Sequence, residues 1–510
     1  MAIRPKIDSN ETGLAFAEEV IGTPGVLPVT PDWWPLEPNE YDDFGGELTL
    51  LARRPINPSR QRKKGSITDL DASGGFNQDL TNTNTQRILQ GFMYASLREK
   101  PNAAAIEVTA TGVEVADETI FAAGMLVLAT GFNNTANNGL KVVTSVDAGS
   151  SEVRFAGTAV EGSPPADAKL VVVGYQAAAG TLDVVTTGNF ATITSTGGVD
   201  FTTLGLIAGE FIYVGGDSAG LAFATAANNG FKRIRSVAAG ALVIDKSALP
   251  MQAESSTTET VQFFFGRVLK NELGNLIVRR SYNVERQLGA PDTSTPNAFQ
   301  AEYLVGAFGN ELVINIEQAD KINMDFSFVA LDNQQRTTAQ GLKSGNRKTI
   351  DEADAYNTST DFNSMRLAIF NGVDEAPDPL FAHLLELAIT INNNVSVNKA
   401  VAVLGGFDVT LGVFEVSVEM TAYFSTVEAV QAVRQNKDVT LHAAVAKNQS
   451  GFAIDLPLAA LGDARLEVEI DEPITLPLMM DAATAVKLNP ATDYTLMWCF
   501  FDYLPLVAEA

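Results

Sequence analysis

Cysteine is almost absent from this chain: Cys499 stands alone among 510 residues. A single thiol cannot build a disulfide framework or a cysteine-based zinc site. Trp498, Phe500 and Phe501 flank it, so it is expected as a buried, inert side chain. Histidine is nearly as scarce, and His383 and His442 lie far apart in sequence without a neighbouring motif. They support neither a metal site nor a catalytic triad. Long apolar runs are missing as well: none approaches the roughly 18 residues needed to span a bilayer. The start, Met-Ala-Ile-Arg-Pro-Lys, has no apolar signal core. Neither membrane insertion nor export by a signal peptide is therefore expected. Basic residues are few, 35 against 61 acidic ones, for a net charge of −26. Such a balance opposes gripping nucleic acid, because that affinity rests on neutralising phosphates. It suits a surface past which nucleic acid slides without sticking.

What is present points to β structure. Apolar residues make up 46% and charged ones 19%, the composition of a folded protein, and the length implies two to four domains. Two distant stretches read as one small fold written twice. The first has a strand over 46–53, a basic loop, a hairpin crossing at Asp71-Ala-Ser-Gly-Gly75 and a helix over 85–97 capped by Asn84 or Thr85. The second has a strand over 385–392, a polar loop, a crossing at Asp408-Val-Thr-Leu-Gly412 and a helix over 426–436 capped by Ser425 or Thr426. Ile88, Leu89, Phe92, Met93 and Leu97 form one helical stripe, matched by Val427, Ala429, Val430 and Val433.

After its helix the second copy continues through strands at 439–446, 452–458 and 465–471. The first resumes at 275–286 only after about 160 residues rich in Ala, Gly, Thr and Val, which is the mark of an insertion. The insertion repeats within itself. Ala136-Asn-Asn-Gly139 and the strand after it recur at Ala227-Asn-Asn-Gly230, and Gly124-Met-Leu-Val-Leu128 answers to Gly209-Glu-Phe-Ile-Tyr213. Asn and Gly tolerate the positive φ of tight hairpins, so two small β domains in tandem are expected. Beyond them, 311–317 and 324–330 alternate with period two, as half-buried strands do.

Two motifs fail on their chemistry. Gly345-Asn-Arg-Lys348-Thr349 places two residues between the glycine and the lysine of a phosphate loop, and reads as linker. Asp69-Leu-Asp71-Ala-Ser73-Gly74 opens like an EF-hand loop, but Leu80 stands where the bidentate glutamate belongs; a hairpin turn fits better. No nucleophile and base pair, metal cluster or cofactor loop emerges, so neither an enzyme nor a cofactor is expected.

Three other features are candidate contact sites. The first 43 residues, rich in proline, read as an irregular arm whose Trp33 and Trp34 either dock on another surface or pack on their own domain. Arg53, Arg54, Arg60, Arg62, Lys63 and Lys64 place six cations within twelve residues. The loop carrying them is a nucleic-acid patch, a contact for an acidic surface on another subunit, or simply solvated. Glu467, Glu469 and Asp471 share one face of the expected 465–471 strand. They line an acidic channel, receive the basic loop, or face water.

Together these features resemble the tail tube proteins of long, non-contractile bacteriophage tails. The resemblance is most specific in Asp32-Trp-Trp-Pro-Leu-Glu-Pro-Asn39, in 67–80, and in Tyr303-Leu-Val-Gly-Ala with Phe326-Ser-Phe-Val-Ala-Leu331. It implies a mainly β chain with two tail-tube-type sandwich or barrel units, each with one flanking helix, plus two small inserted β domains. The divisions expected are an arm at 1–45, a first unit at 46–100 and 266–340, inserted domains at 101–181 and 182–265, a linker at 341–354 and a second unit at 355–510. The resemblance further implies a siphophage virion component, made in the host cytoplasm. Its chains would form homotrimeric, pseudo-hexameric rings, stacked by helical assembly around an acidic channel for DNA ejection. Expected partners are other copies and the tape measure, terminator and distal tail proteins, with DNA only as cargo. The competing readings are a terminator, baseplate or decoration component, or an adhesive, carbohydrate-binding protein acting through the inserted domains.

Overall fold

Alternation of apolar and polar residues dominates the chain, and the computed structural model is accordingly mainly β, with 49% of residues in strands and 10% helical. It describes residues 6–54, 56, 58, 63–82, 85–187, 190–245, 250–291, 299–337, 339–350, 353–369, 378–380 and 383–509, without the side chain of residue 42. Two compact units emerge. One joins 1–96, 272–358 and 386–420, and the other joins 97–271, 359–385 and 421–510.

The first unit begins with strands where an irregular arm was expected. Strand β1 is Gly13–Glu18, β2 is Asp32–Leu36 and β3 is Pro38–Ala52. The prolines did not prevent this. Pro35 pairs with Ala15 of β1, and on its other side β2 meets, among the described residues, the two-residue strand Asn346–Arg347, opposite Asp32 and Trp33. An open edge tolerates the missing N–H. That short strand also lies within the expected 341–354 linker.

Strand β4, Gly65–Asp79, forms a long antiparallel hairpin with β3. Asp71–Gly75, expected as the crossing of a hairpin, therefore lies mid-strand, and the turn is the basic loop itself. From Asp69 onward strand β4 alternates, except at the buried Gly75: Leu70, Ala72 and Phe76 are buried, while Asp69, Asp71, Asn77 and Asp79 lie on the opposite face. On its far edge runs Asn323–Ala330, then the long strand Gln300–Glu317, then Leu384–Asn392 through residues 386–392. Gln300–Glu317 also belongs to a second sheet, pairing through 300–307 with Tyr282–Gly289, which in turn pairs with β1. The first-copy strand expected over 275–286 thus starts later, after a short helical turn at Gly274–Leu276.

Helix α1, Thr85–Met93, closes the core. Ile88, Leu89, Phe92 and Met93 are fully buried, and Phe92 packs edge-on against Phe326 and Phe328 at 5.4 and 5.0 Å. A Cβ on Gly91 would stand 2.3 Å from the Tyr282 ring, so only glycine permits this approach. Of the two proposed caps, Asn84 lies outside the described residues. Helix α2, Glu428–Arg434, is the weaker copy: Ala429 and Ala432 are buried but Val427 is 60% exposed, and its N-terminus has no side-chain cap.

In the second unit the expected strands appear as Asp438–Lys447 and Ser450–Gly462, paired antiparallel. The expected strand over 465–471 does not form; Glu467 makes one isolated rung with Thr475. Asp408–Thr410, in the first unit, pairs with Ser396–Asn398 and is likewise no crossing.

The internal repeat of the insertion is visible bond for bond. Asn137 donates its side-chain amide to Glu161, which also accepts from the backbone of Asn133 and Asn134. Asn228 donates to Glu254, which accepts from the backbone of Ala224 and Thr225. Asn138 brackets Phe132 as Asn229 brackets Phe223. The glycines 139 and 230 take φ of +98° and +90°, while the asparagines before them stay extended and bond the loop together. Both halves contribute to one continuous buried cluster.

Their fillings differ. Gly124 donates to Val143 and Gly209 to Ile234, which aligns Met125 with Glu210 and Val142 with Arg233. Glu210 is fully buried beside Lys100 at 2.8 Å. Arg233 meets Asp245 at 2.5 Å and Asp455 at 2.8 Å, and Tyr494 donates its hydroxyl to Asp455. Cys499 is buried here and accepts from the Phe211 amide. Burial pushes its thiol well above the usual range, as its apolar neighbours predict.

Candidate functional site

Six strand segments of the first unit that pair side by side expose one continuous polar face. Adjacent rows run Asn77, Asp325, Val313 and Thr390, then Asp79, Asn323, Asn315 and Ala388. Glu311 lies opposite Asn392, and Glu317 opposite Glu386. Leu384–Asn392 pairs onward with Glu415–Tyr423, which exposes Glu415 and Glu419 and buries Val416, Val418 and Met420. The opposite face of the same strands forms the apolar core, with Phe76, Phe326, Leu312, Ile314 and Ile389. Period-two sequence thus separates an apolar side from an acidic one.

None of the segments 38–52, 65–79, 311–317, 323–330, 386–392 or 415–420 contains Lys or Arg. In place of cations, amides hold the carboxylates. Asp325 accepts from Asn77 at 2.6 Å and from Asn315 at 2.7 Å; Asn39 donates to both Asn77 and Asp79. Asn392 donates to Glu311 at 3.0 Å. These neutral donors fix geometry while leaving the negative charge in place.

Among the described residues, two lysines reach the face, both from loops. Lys321 pairs with Asp79, and Lys399 bridges Asp69 at 2.6 Å and Asp71 at 2.5 Å. The Lys399 hydrogen bond holds the Asp69 carboxyl below its ordinary value, and the same carboxylates raise the lysine. This bridge ties the loop of the second sequence copy to the hairpin of the first.

The residues singled out from sequence are distributed unevenly. Trp33 is 1% exposed, packs edge-on against Tyr303 at 6.0 Å and donates to the Ser344 carbonyl. In this chain it packs on its own unit. Trp34 is half-buried beneath the Arg87 guanidinium at 3.9 Å. Arg53, Arg54, Lys63 and Lys64 are exposed at the tip of the β3–β4 hairpin, and Arg60 and Arg62 lie outside the described residues. Glu467, Glu469 and Asp471 are exposed in a loop, because the single rung at Glu467 leaves no strand to sort them onto one face. The phosphate-loop lookalike is a site of ion pairing: Arg347 binds the buried Glu285 through both nitrogens at 2.7 and 2.9 Å, and Lys348 meets Asp32.

The acidic sheet face was missed from sequence, since its rows come from strands hundreds of residues apart. The available signal was the absence of Lys and Arg from each alternating segment. Among the described residues, no cluster of three metal-ligating side chains occurs. A groove of roughly 200 Å³ lined by Gly13, Trp33, Pro35, Gln287, Arg347 and Lys348 is present in the first unit. What the acidic face can do is electrostatic: repel anions along its length.

A family model described as phage tail tube protein matches residues 9–482. No curated protein sequence matches the chain.

Proposed function

We propose that this chain, which belongs to the phage tail tube protein family, surrounds the passing genome with its acidic sheet face. Membership makes it a structural subunit of a phage tail tube, assembling with copies of itself and with other tail proteins in the virion tail. The finer reading is ours. The two sequence copies act as two tube units per chain, so three chains close a ring that is sixfold in outline and threefold in detail. Rings stack through the hairpin tip that carries Arg53, Arg54, Lys63 and Lys64, and the inserted repeats decorate the outside.

One observation carries this proposal: the six segments that build the face lack Lys and Arg altogether. DNA held by a protein releases counterions when cations replace them at the phosphates. A wall of carboxylates and amides offers no such exchange, so DNA passes without being trapped. The earlier candidates Glu467, Glu469 and Asp471 are not needed for the lining.

The test is binding of double-stranded DNA by tubes of the protein. Wild-type tubes are expected to bind none at moderate salt, while tubes carrying Glu317→Lys, Asp325→Lys and Glu419→Lys retain DNA and release it as salt rises. Equal DNA retention by the two would overturn the proposal.

A further inference from the structure

We propose that residues 465–472 form the seat for the β3–β4 hairpin tip of a second copy of this chain. The inference rests on the reading that chains stack, and it names the two surfaces that meet.

The segment has the chemistry of a strand without the partner. Leu466, Val468 and Ile470 alternate with Glu467, Glu469 and Asp471, yet the described residues show one rung, in which Glu467 and Thr475 exchange backbone bonds of 2.9 and 3.2 Å. Both sets of side chains face solvent, with Leu466, Val468 and Ile470 exposed by 42%, 69% and 91%. Alternation of this kind stabilises a segment only when one side is covered. The segment turns back at Ile470 and Asp471, where Asp471 takes φ of +65°, so its exposed side chains stand at a short loop rather than along a strand edge.

The hairpin tip is its chemical complement. Leu50, Leu51 and Ile67 are exposed by 62%, 69% and 51%, and the flanking charges Arg53, Arg54, Lys63 and Lys64 are all positive. Apolar side chains stand beside positive charge at the tip and beside the carboxylates of Glu467, Glu469, Asp471 and Glu472 at the seat, whose first residue, Arg465, is paired with Asp463. On a chain of net charge −26, a dense cationic tip finds acidic surface readily, but the exposed apolar residues beside the charge restrict the choice. Each chain carries one tip and one seat. Contacts between unlike surfaces propagate without closing, which is the geometry of an open-ended stack.

Charge exchange tests the pairing. A tip variant carries Arg53→Glu, Lys63→Glu and Lys64→Glu; a seat variant carries Glu467→Lys, Glu469→Lys and Glu472→Lys. All the sites are exposed, and circular dichroism with thermal melting identifies folded preparations. Each variant alone is expected to lose tubes at least tenfold against wild type in electron micrographs. An equimolar mixture should recover them, because each variant's tip then meets the other's seat. If either variant alone grows tubes like wild type, or the mixture of folded variants fails to recover them, the pairing is wrong while stacking stands. If wild-type protein itself forms neither rings nor tubes, the stacking reading fails.

Discussion

Carboxylates serve opposite purposes on the sheet face of the first unit and in the core of the second. On the sheet face of the first unit, Asp325, Glu311 and their neighbours are half-exposed and held by asparagine amides, so their charge projects outward. In the second unit, Glu210 and Asp455 are fully buried, and each meets a cation within 2.8 Å. An amide satisfies a lone pair and leaves the field intact, whereas a lysine or arginine cancels it. The difference teaches that carboxylate count alone says little about function; the identity of the donor decides whether a carboxylate acts on its surroundings or only on the fold.

The comparison breaks most strongly at the buried pair. Asp455→Ala leaves Arg233 with Asp245 but without its fully buried partner, and strips the acceptor from Tyr494. A loss of about 3–5 kcal/mol is expected, read as a fall in denaturant midpoint. Gly91→Ala, which drives a methyl into Tyr282, should cost about 1–3 kcal/mol by overpacking, measured the same way.

His442 supplies a pH test confined to the buried side. It is 2% exposed, packs against Phe211 at 5.4 Å, and burial, with Arg233 and Arg366 nearby, lowers its pKa to about 3. The unfolded chain therefore binds the extra proton below about pH 6.5 while the folded chain refuses it until about pH 3. Stability from this group is complete above pH 6.5 and falls by up to about 1.4 kcal/mol per pH unit between those limits. His442→Gln should flatten that part of the pH profile; an unchanged slope would remove His442 from the account.

The acidic face should respond least. Lys399→Ala removes a partly exposed bridge to Asp69 and Asp71 and should cost at most about 1 kcal/mol, since the loop keeps its strand pairing through Ser396–Asn398. Asp325→Asn should change stability by about 1 kcal/mol: Asn77 and Asn315 donate to different carboxylate oxygens, so the new oxygen keeps one of these bonds and the other amide turns from the new NH2 group toward water on this half-exposed face. A large loss from either substitution would show that the face holds the fold together, against its proposed role.

Sequence made some of this legible and hid the rest for physical reasons. The alternation at 311–317 and 324–330 was readable because one face of each strand is fully apolar. The insert's repeat was readable because Asn-Asn-Gly is demanded by its loop bonds. Strand β4 was misread because its Asp and Gly residues imitate a turn, although Gly74 is there for close packing: a Cβ on it would stand 2.9 Å from Leu304. The 465–471 segment erred the other way, since alternation records what a strand would bury and cannot supply its neighbour. The acidic face depends on registers between β4, 323–330, 311–317 and 386–392, which no single window of sequence contains.

The central claim is that this acidic face lines a channel. Electron cryomicroscopy of tubes grown from the purified protein tests it most directly. The account predicts threefold rings whose lumen is walled by β4 and residues 311–317, 323–330 and 386–392, with Asp325 and Glu311 pointing inward. A tube whose lumen is walled by other strands, with this face turned outward or buried between subunits, would contradict it.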